Sequence, residues 1–348
     1  MHDTLVLHIL RETAALQAIE PEWRALWDSD PHATPFQSPA WLLPWWRQFG
    51  QPELTAITIR RRHRLIGLLP FYIYREPRSG GRQLLLIGSG TSDYLDGLLA
   101  PECSPDDVLR ALHLLRSSIS WDLASLTQLR PGSRLFQALA SRANPFPTES
   151  CWQMPAAPVS GLPRTIRRNV TQRSNRARRT GSLEFTLATA STSMADFESL
   201  VSLHKERWQT RGQDGIFHDP RVLAWHREAV PLLARRGLLR LFGLRHNGET
   251  IAAMYCLADS PSRASRSLYV YIPAFSPRFA TLSPGTLLLA HAVEQSAAEG
   301  IQTIDLLRGH EPYKQLWHME PAPTFGCEVP RNAPRHAPSQ APDLVEAA

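Results

Sequence analysis

The sequence predicts an α/β protein made of two similar halves, each built on a mixed central sheet. Three observations carry this: one order of elements occurs twice, a proline-rich stretch separates the two runs, and 348 residues is too long for one average domain. In the first run, residues 54–60 and 65–74 read as a hairpin, 82–88 as a third strand, 105–118 as a helix and 121–129 as a strand. In the second, 238–245 and 250–258 form a hairpin around His246-Asn247-Gly248-Glu249, whose Asn-Gly is a strong turn signal. Residues 266–272, 284–299 and 302–307 then repeat the strand, helix, strand order. Ahead of the first run, residues 5–10 alternate as a short strand, and Trp23 and Trp27 sit one helical turn apart. Ser38-Pro39 reads as a helix start, with Trp41 and Trp45 on one face. The expected organisation is an N-terminal half over 1–150, then a linker over 151–163 and a C-terminal half over 164–330. A disordered Pro/Ala-rich tail is expected over 331–348.

Composition excludes several classes. The cysteines, Cys103, Cys151, Cys256 and Cys327, are scattered singly, without the paired spacings of a zinc site or redox dithiol, so reduced thiols are expected. The first ten residues lack a basic flank and a cleavage site, and no run reaches the roughly 20 apolar residues that span a bilayer. A cytoplasmic protein without a transmembrane segment is the expectation. The net charge of +6 is local: residues 161–181 hold seven arginines and no acid, so the rest of the chain sums to about −1. That segment reads as a solvated helix, a clamp for an anionic acceptor or a nucleic-acid contact. The last is weakest, because aromatics are not interleaved and no recognised binding module surrounds it, so no DNA partner is expected.

A helix start after a strand presents unpaired N–H groups and the positive end of a dipole, a common way to hold a pyrophosphate. Both repeated helices open with Ser-Pro. In the first, Ser104-Pro105 is followed by Asp106 and Asp107, which complete the dipole and repel phosphate. In the second, Ser283-Pro284 is followed by Gly285 and Thr286, a small neutral turn, with Arg278 just upstream. A phosphate-bearing cofactor therefore fits Arg278, Ser283, Gly285 and Thr286 of the second half, and the same residues also make an ordinary N-cap.

The second half resembles the GNAT acyltransferase superfamily, within it the CelD-like or BioF-associated acetyltransferases, relatives of the Fem-type peptidyltransferases. The residues that carry the likeness are His204 and Trp208, the hairpin through Gly248, Ser283-Pro284-Gly285, and the segment Asp305, Arg308, Gly309, Glu311, Tyr313, Lys314 and Trp317. Phe36-Gln37-Ser38-Pro39 and Asp93-Tyr94-Leu95-Asp96 extend it into the first half. The resemblance implies tandem GNAT-like domains with the N-terminal one degenerate and on the acceptor side, acetyl-CoA or another acyl-CoA as co-substrate, no metal, and direct transfer to an amine or, less often, a hydroxyl. It also implies a small-molecule or sugar-type acceptor, in envelope or polysaccharide chemistry. The usual pyrophosphate pattern of that superfamily, Arg or Gln, two residues, Gly, one residue, Gly or Ala, is not reproduced after Arg278, which leaves the phosphate contacts and the CoA preference open. An aminoacyl-tRNA donor, or a non-catalytic binding protein on the same fold, are the alternatives.

Direct acyl transfer needs a deprotonated amine, a stabilised oxyanion and a protonated or held thiolate. The second-half cluster offers Asp305 or Glu311 as base, Tyr313 as proton donor, and Arg308 or Lys314 as charge stabilisers. Asp305 is equally readable as a carboxylate ending a strand. Asp93, Tyr94 and Asp96 are candidates for acceptor recognition or a polar turn, Arg168 and Arg176 for the anionic acceptor. His204 and Trp208 share a helix face that lines the acceptor channel or merely packs.

Overall fold

The structure, a computed structural model, describes residues 4–50, 53–140 and 143–331. The expected tail lies, from residue 332 on, outside the described residues. The first half runs β1 (Leu5–Leu10), α1 (Thr13–Ala18), α2 (Glu20–Ser29), α3 (Pro39–Phe49), β2 (Ala56–Arg61), β3 (Arg64–Leu69), β4 (Phe71–Arg75), β5 (Arg82–Leu86), β6 (Leu98–Leu99), α4 (Pro105–Ser118), β7 (Leu123–Leu129), α5 (Arg134–Ala140) and β8 (Asn144–Pro147). The second runs β9 (Cys151–Pro155), α6 (Arg164–Thr180), β10 (Leu183–Leu187), α7 (Ser193–Gln209), α8 (Pro220–Arg235), β11 (Leu239–His246), β12 (Glu249–Ala258), β13 (Ser267–Phe275) and α9 (Pro284–Ala298). It ends with β14 (Thr303–Asp305), α10 (Pro312–Leu316), β15 (Glu320–Ala322) and β16 (Phe325–Pro330). No helix among the described residues is long and apolar enough to cross a membrane.

The duplication expected from element order is present in the sheets. The second half orders its strands β10-β11-β12-β13-β14-β9-β15, with β13 and β14 parallel across the α9 crossover. The first half repeats this as β1-β2-β3-β6 and β4-β5-β7-β16-β8, with β5 and β7 parallel across α4. Pro70 separates β3 from β4, lacks the N–H a central strand needs, and divides into two sheets what β12 spans as one strand.

The halves exchange strands. β16, the last strand of the chain, pairs with β7 and β8 in the first half. β9 leaves the first half and pairs with β14 and β15 in the second. Part of the stretch expected as a linker over 151–163 is thus a sheet strand. Cys151 and Met154 of this strand are buried. The halves also share a core. Trp41 on α3 meets Trp225 on α8 edge to face at 4.6 Å, and the Trp225 indole N–H donates to the Trp41 carbonyl. A second core packs α6 and α9 against the other face of β12 and β13 through Ile166, Val170, Leu288 and Val293.

Candidate functional site

β13 and β14 are paired only from Ser267↔Thr303 to Tyr269↔Asp305, and beyond this they part. The opening is a cleft of about 700 Å³, with Val270 to Pro273 on one wall and Leu306 to Gly309, Glu311 and Tyr313 on the other. The first half closes one side with Gly90, Thr91, Asp93 and Glu149; the loop before α8 closes another with Asp214 to Ile216, His218 and Asp219. Both halves therefore build the site, as cavities between packed units often are built.

Asp305 does not face this cleft. It is fully buried where the halves meet. One carboxylate oxygen accepts the Leu307 N–H at 2.7 Å, and the other accepts the Tyr94 hydroxyl at 2.6 Å and the Gln153 amide at 2.7 Å. With its lone pairs engaged and no access to substrate, Asp305 cannot serve as a direct base, and Tyr94, 2% exposed, cannot bind an acceptor. Both join the halves instead. Burial pushes the Asp305 carboxyl up to about 6, against the opposing hydrogen bonds of Tyr94 and Gln153. A folded value above the unfolded one means that the fold favours the protonated acid. That stability is complete below about pH 4 and is lost as pH rises through 6. Asp305→Asn should remove this dependence: between pH 4 and pH 7 wild type should lose on the order of 2–3 kcal/mol more than the variant in denaturant titrations. Parallel pH profiles would contradict it.

At the cleft floor, the Arg308 guanidinium holds Asp93 at 2.5 Å and reaches the Ser92 carbonyl at 3.4 Å. Asp93 is 4% exposed, and burial raises its carboxyl above the usual range despite Arg308, with nearby Glu149 adding to the rise. Tyr313, at the start of α10, turns its partly buried ring to the cleft. Burial first, and then Glu311, push its phenol well above the ordinary value, so it stays protonated. Lys314 is not a charge stabiliser for substrate. Its ammonium is buried among the carbonyls of Leu307, Arg308 and Gly309 at 2.5–3.1 Å and pairs with Glu311 at 2.9 Å. It holds the loop on which Leu307 and Gly309 adopt positive φ. Glu311, exposed and tied to Lys314, is on the rim.

The two Ser-Pro helix starts differ as their sequences imply. At α4, Ser104 accepts the Asp107 N–H, Asp107 accepts the Ser104 N–H at 2.9 Å, and Arg61 pairs with Asp107 at 2.8 Å, so this end is closed. At α9, Ser283 sits at φ 55° and caps nothing with its side chain; its hydroxyl accepts a hydrogen bond from Arg173 of α6. Arg176 reaches the Thr281 carbonyl at 3.4 Å. Arg176 therefore flanks the start of α9, beside Ser283, Gly285 and Thr286, and not the cleft expected to hold the acceptor. Arg278, 65% exposed, pairs with the surface carboxylates Glu249 and Glu206.

Residues 164–315 match the family model described as an acetyltransferase (GNAT) domain. This segment is a GNAT domain. It contains α6 through α10 and hence both the α9 start and the two cleft walls formed by β13 and the segment after β14. A search of curated sequences gives no match. Among solved structures, FemX is similar at 10% identity and TM-score 0.63, over 88% of this chain and 95% of that one. A conserved protein of unknown function from Bacteroides thetaiotaomicron is similar at 12% identity and TM-score 0.58, over 92% and 99%. L-PGS from Bacillus licheniformis is similar at 12% identity and TM-score 0.53, over 78% and 82%. At these identities the likeness is one of fold.

Other expected residues lie outside the cleft of the GNAT domain. Asp96 accepts the Gly97 N–H and faces Ser133 and Arg130, away from the cavity. His204 and Trp208 do share a helix face, but they pack behind Gly215, where an added Cβ would strike the imidazole. They support the cleft-side loop without lining it; burial, aided by Arg207, pushes His204 down to about 4, so it is neutral. Arg168 is exposed on α6 and does not line the cleft. Residues missed from sequence are Glu149, Gln153, Arg173 and Tyr271, whose hydroxyl donates to the Thr91 carbonyl at 2.7 Å. Lys314→Met should lower unfolding stability by about 2–4 kcal/mol, because three buried carbonyls lose their donor. Unchanged melting would contradict its structural role.

Proposed function

We propose that the protein is an acyl-CoA-dependent N-acyltransferase, moving acetyl or another short acyl group to an amine bound in the cleft. The acceptor class we favour is an amino group on a sugar, envelope or polysaccharide precursor. The observation that carries this reading is the opening between β13 and the segment after β14, inside the GNAT domain, with a protonated phenol on one wall and carboxylates opposite.

The start of α9 fits the donor's pyrophosphate: Gly285 offers its backbone without a side chain, and a Cβ there would meet only Phe275 at 3.7 Å. Arg173 and Arg176 bring positive charge to the same turn. Past Tyr269 one edge of β13 has no strand partner, and its register slips near Tyr271, so backbone amides there are available to the thioester oxygen. Asp93 or Glu149 accepts one proton from the acceptor ammonium, and the nitrogen lone pair forms the C–N bond. The C–S bond then breaks, Tyr313 gives its proton to the sulfur, and the second amine proton restores the phenol through solvent. Arg308 keeps Asp93 in place.

A second reading, aminoacyl transfer from tRNA, draws support from the exposed arginines of α6, among them Arg164, Arg167 and Arg168. Release of free CoA thiol from acetyl-CoA, followed over a panel of amines, tests the first reading. Amine-dependent thiol release is expected; none with any amine, alongside transfer from charged tRNA, would favour the second.

A further inference from the structure

Several charged side chains around the cleft are paired with one another. Arg308 is matched by Asp93, Lys314 by Glu311, and Asp219 by Arg221 at 2.7 Å. Arg207, which feels Tyr313 and Glu311, lies over the Phe275 ring at 4.7 Å and donates to the Pro273 carbonyl. Glu149 and Asp214 form no close ion pair with an arginine or lysine among the described residues: Glu149 is felt by Arg308, which Asp93 already holds, and His218 lies 3.5 Å from Asp214 and is as exposed as it is. Glu149 belongs to the first half and Asp214 to the loop before α8, so they come to one cavity from different elements. The same cavity is also lined by the apolar or aromatic Ile216, Val222 and Tyr271. None of the seven arginines of α6 lines this cavity.

Resting on the reading of this cleft as the amine-acceptor site, we infer that the acceptor carries at least two basic nitrogens: a diamine, a polyamine or a diamino sugar. One ammonium sits by Glu149 and Asp93, where the proton is removed, and the second is held by Asp214 across the apolar wall. An acceptor bearing phosphate meets a lining in which the carboxylates Asp93, Glu149, Asp214, Asp219 and Glu311 outnumber the arginine, Arg308, that Asp93 already holds. The basic helix serves the donor, and the cleft selects for positive charge. This reverses the anionic acceptor expected from the arginine segment. Attraction between such exposed charges weakens with salt, because ions screen them beyond about 10 Å at 0.1 M.

The test uses the full chain and three probes: spermidine, glucosamine and glucosamine 6-phosphate, titrated calorimetrically at low and high salt, with and without acetyl-CoA. Spermidine is expected to bind at least about 10-fold more tightly than glucosamine 6-phosphate at low salt, and less tightly at high salt. The variant Asp214→Asn, altered only at an exposed side chain, should lose about 10-fold or more for spermidine and little for glucosamine. Preference for glucosamine 6-phosphate, spermidine affinity unchanged in Asp214→Asn, or no spermidine binding at millimolar concentration each overturns the inference. Failure of acetyl-CoA to bind instead removes the acyl-CoA reading, and the spermidine comparison still decides the charge of the acceptor.

Discussion

Replacing Tyr313 with phenylalanine is expected to lower kcat and kcat/KM together by about 10²- to 10³-fold, with the Kd for acetyl-CoA unchanged. The phenol lines the cleft, has no protein hydrogen-bond partner among the described residues, and is kept protonated by burial. Its ring packs against the second core, so phenylalanine keeps the contact and removes only the hydroxyl. A proton donated to a departing thiolate acts in the transition state and hardly at all in the ground state, which is why both constants should fall in step. Steady-state kinetics with calorimetry checks this. A loss under about threefold would assign the departing proton to solvent or another group.

Gly285→Asp is expected to weaken acetyl-CoA binding by roughly 30- to 10³-fold without unfolding the protein. The first turn of α9 has no acidic residue, and the position has room for a side chain, since a Cβ would make only an ordinary contact with Phe275. A carboxylate about 4 Å from a phosphate, at the effective dielectric of a protein surface, costs roughly 2–4 kcal/mol. The comparison is built into the chain: α4 already has Asp106 and Asp107 in its first turn, and its N-terminal end is closed by Ser104, Asp107 and Arg61. Asp106→Asn should therefore leave acetyl-CoA affinity as it is. Retained affinity in Gly285→Asp, with unchanged melting, would move the donor site elsewhere.

The elements that sequence made legible are those fixed by local pattern. The Asn247-Gly248 turn, the Ser-Pro starts of α4 and α9, and the strands around them depend on residues a few positions apart. The exchange of β9 and β16 was not legible, because their partners are set by non-local pairing and their own sequences are short and broken by proline. The same distance in sequence hid the environment of Asp305. Its residue type at a strand end looked like a base, yet its partners come from residues 94 and 153. Lys314 misled for a related reason: a lysine beside a candidate proton donor looks catalytic until the carbonyls of its own loop are seen to surround it. Arg173 could have been found from sequence only by knowing that α6 lies against the start of α9, whereas the contrast of Gly285-Thr286 with Asp106-Asp107 was legible, since dipole and charge act within one turn.

Direct titration of the full-length protein with acetyl-CoA, in parallel with charged and uncharged tRNA, tests the central claim that the GNAT domain takes an acyl-CoA donor at the start of α9. The account predicts saturable binding of acetyl-CoA, weakened by Arg173→Glu as well as by Gly285→Asp, and no discrimination between charged and uncharged tRNA. Binding of charged tRNA in preference to uncharged, with no heat from acetyl-CoA, would contradict it.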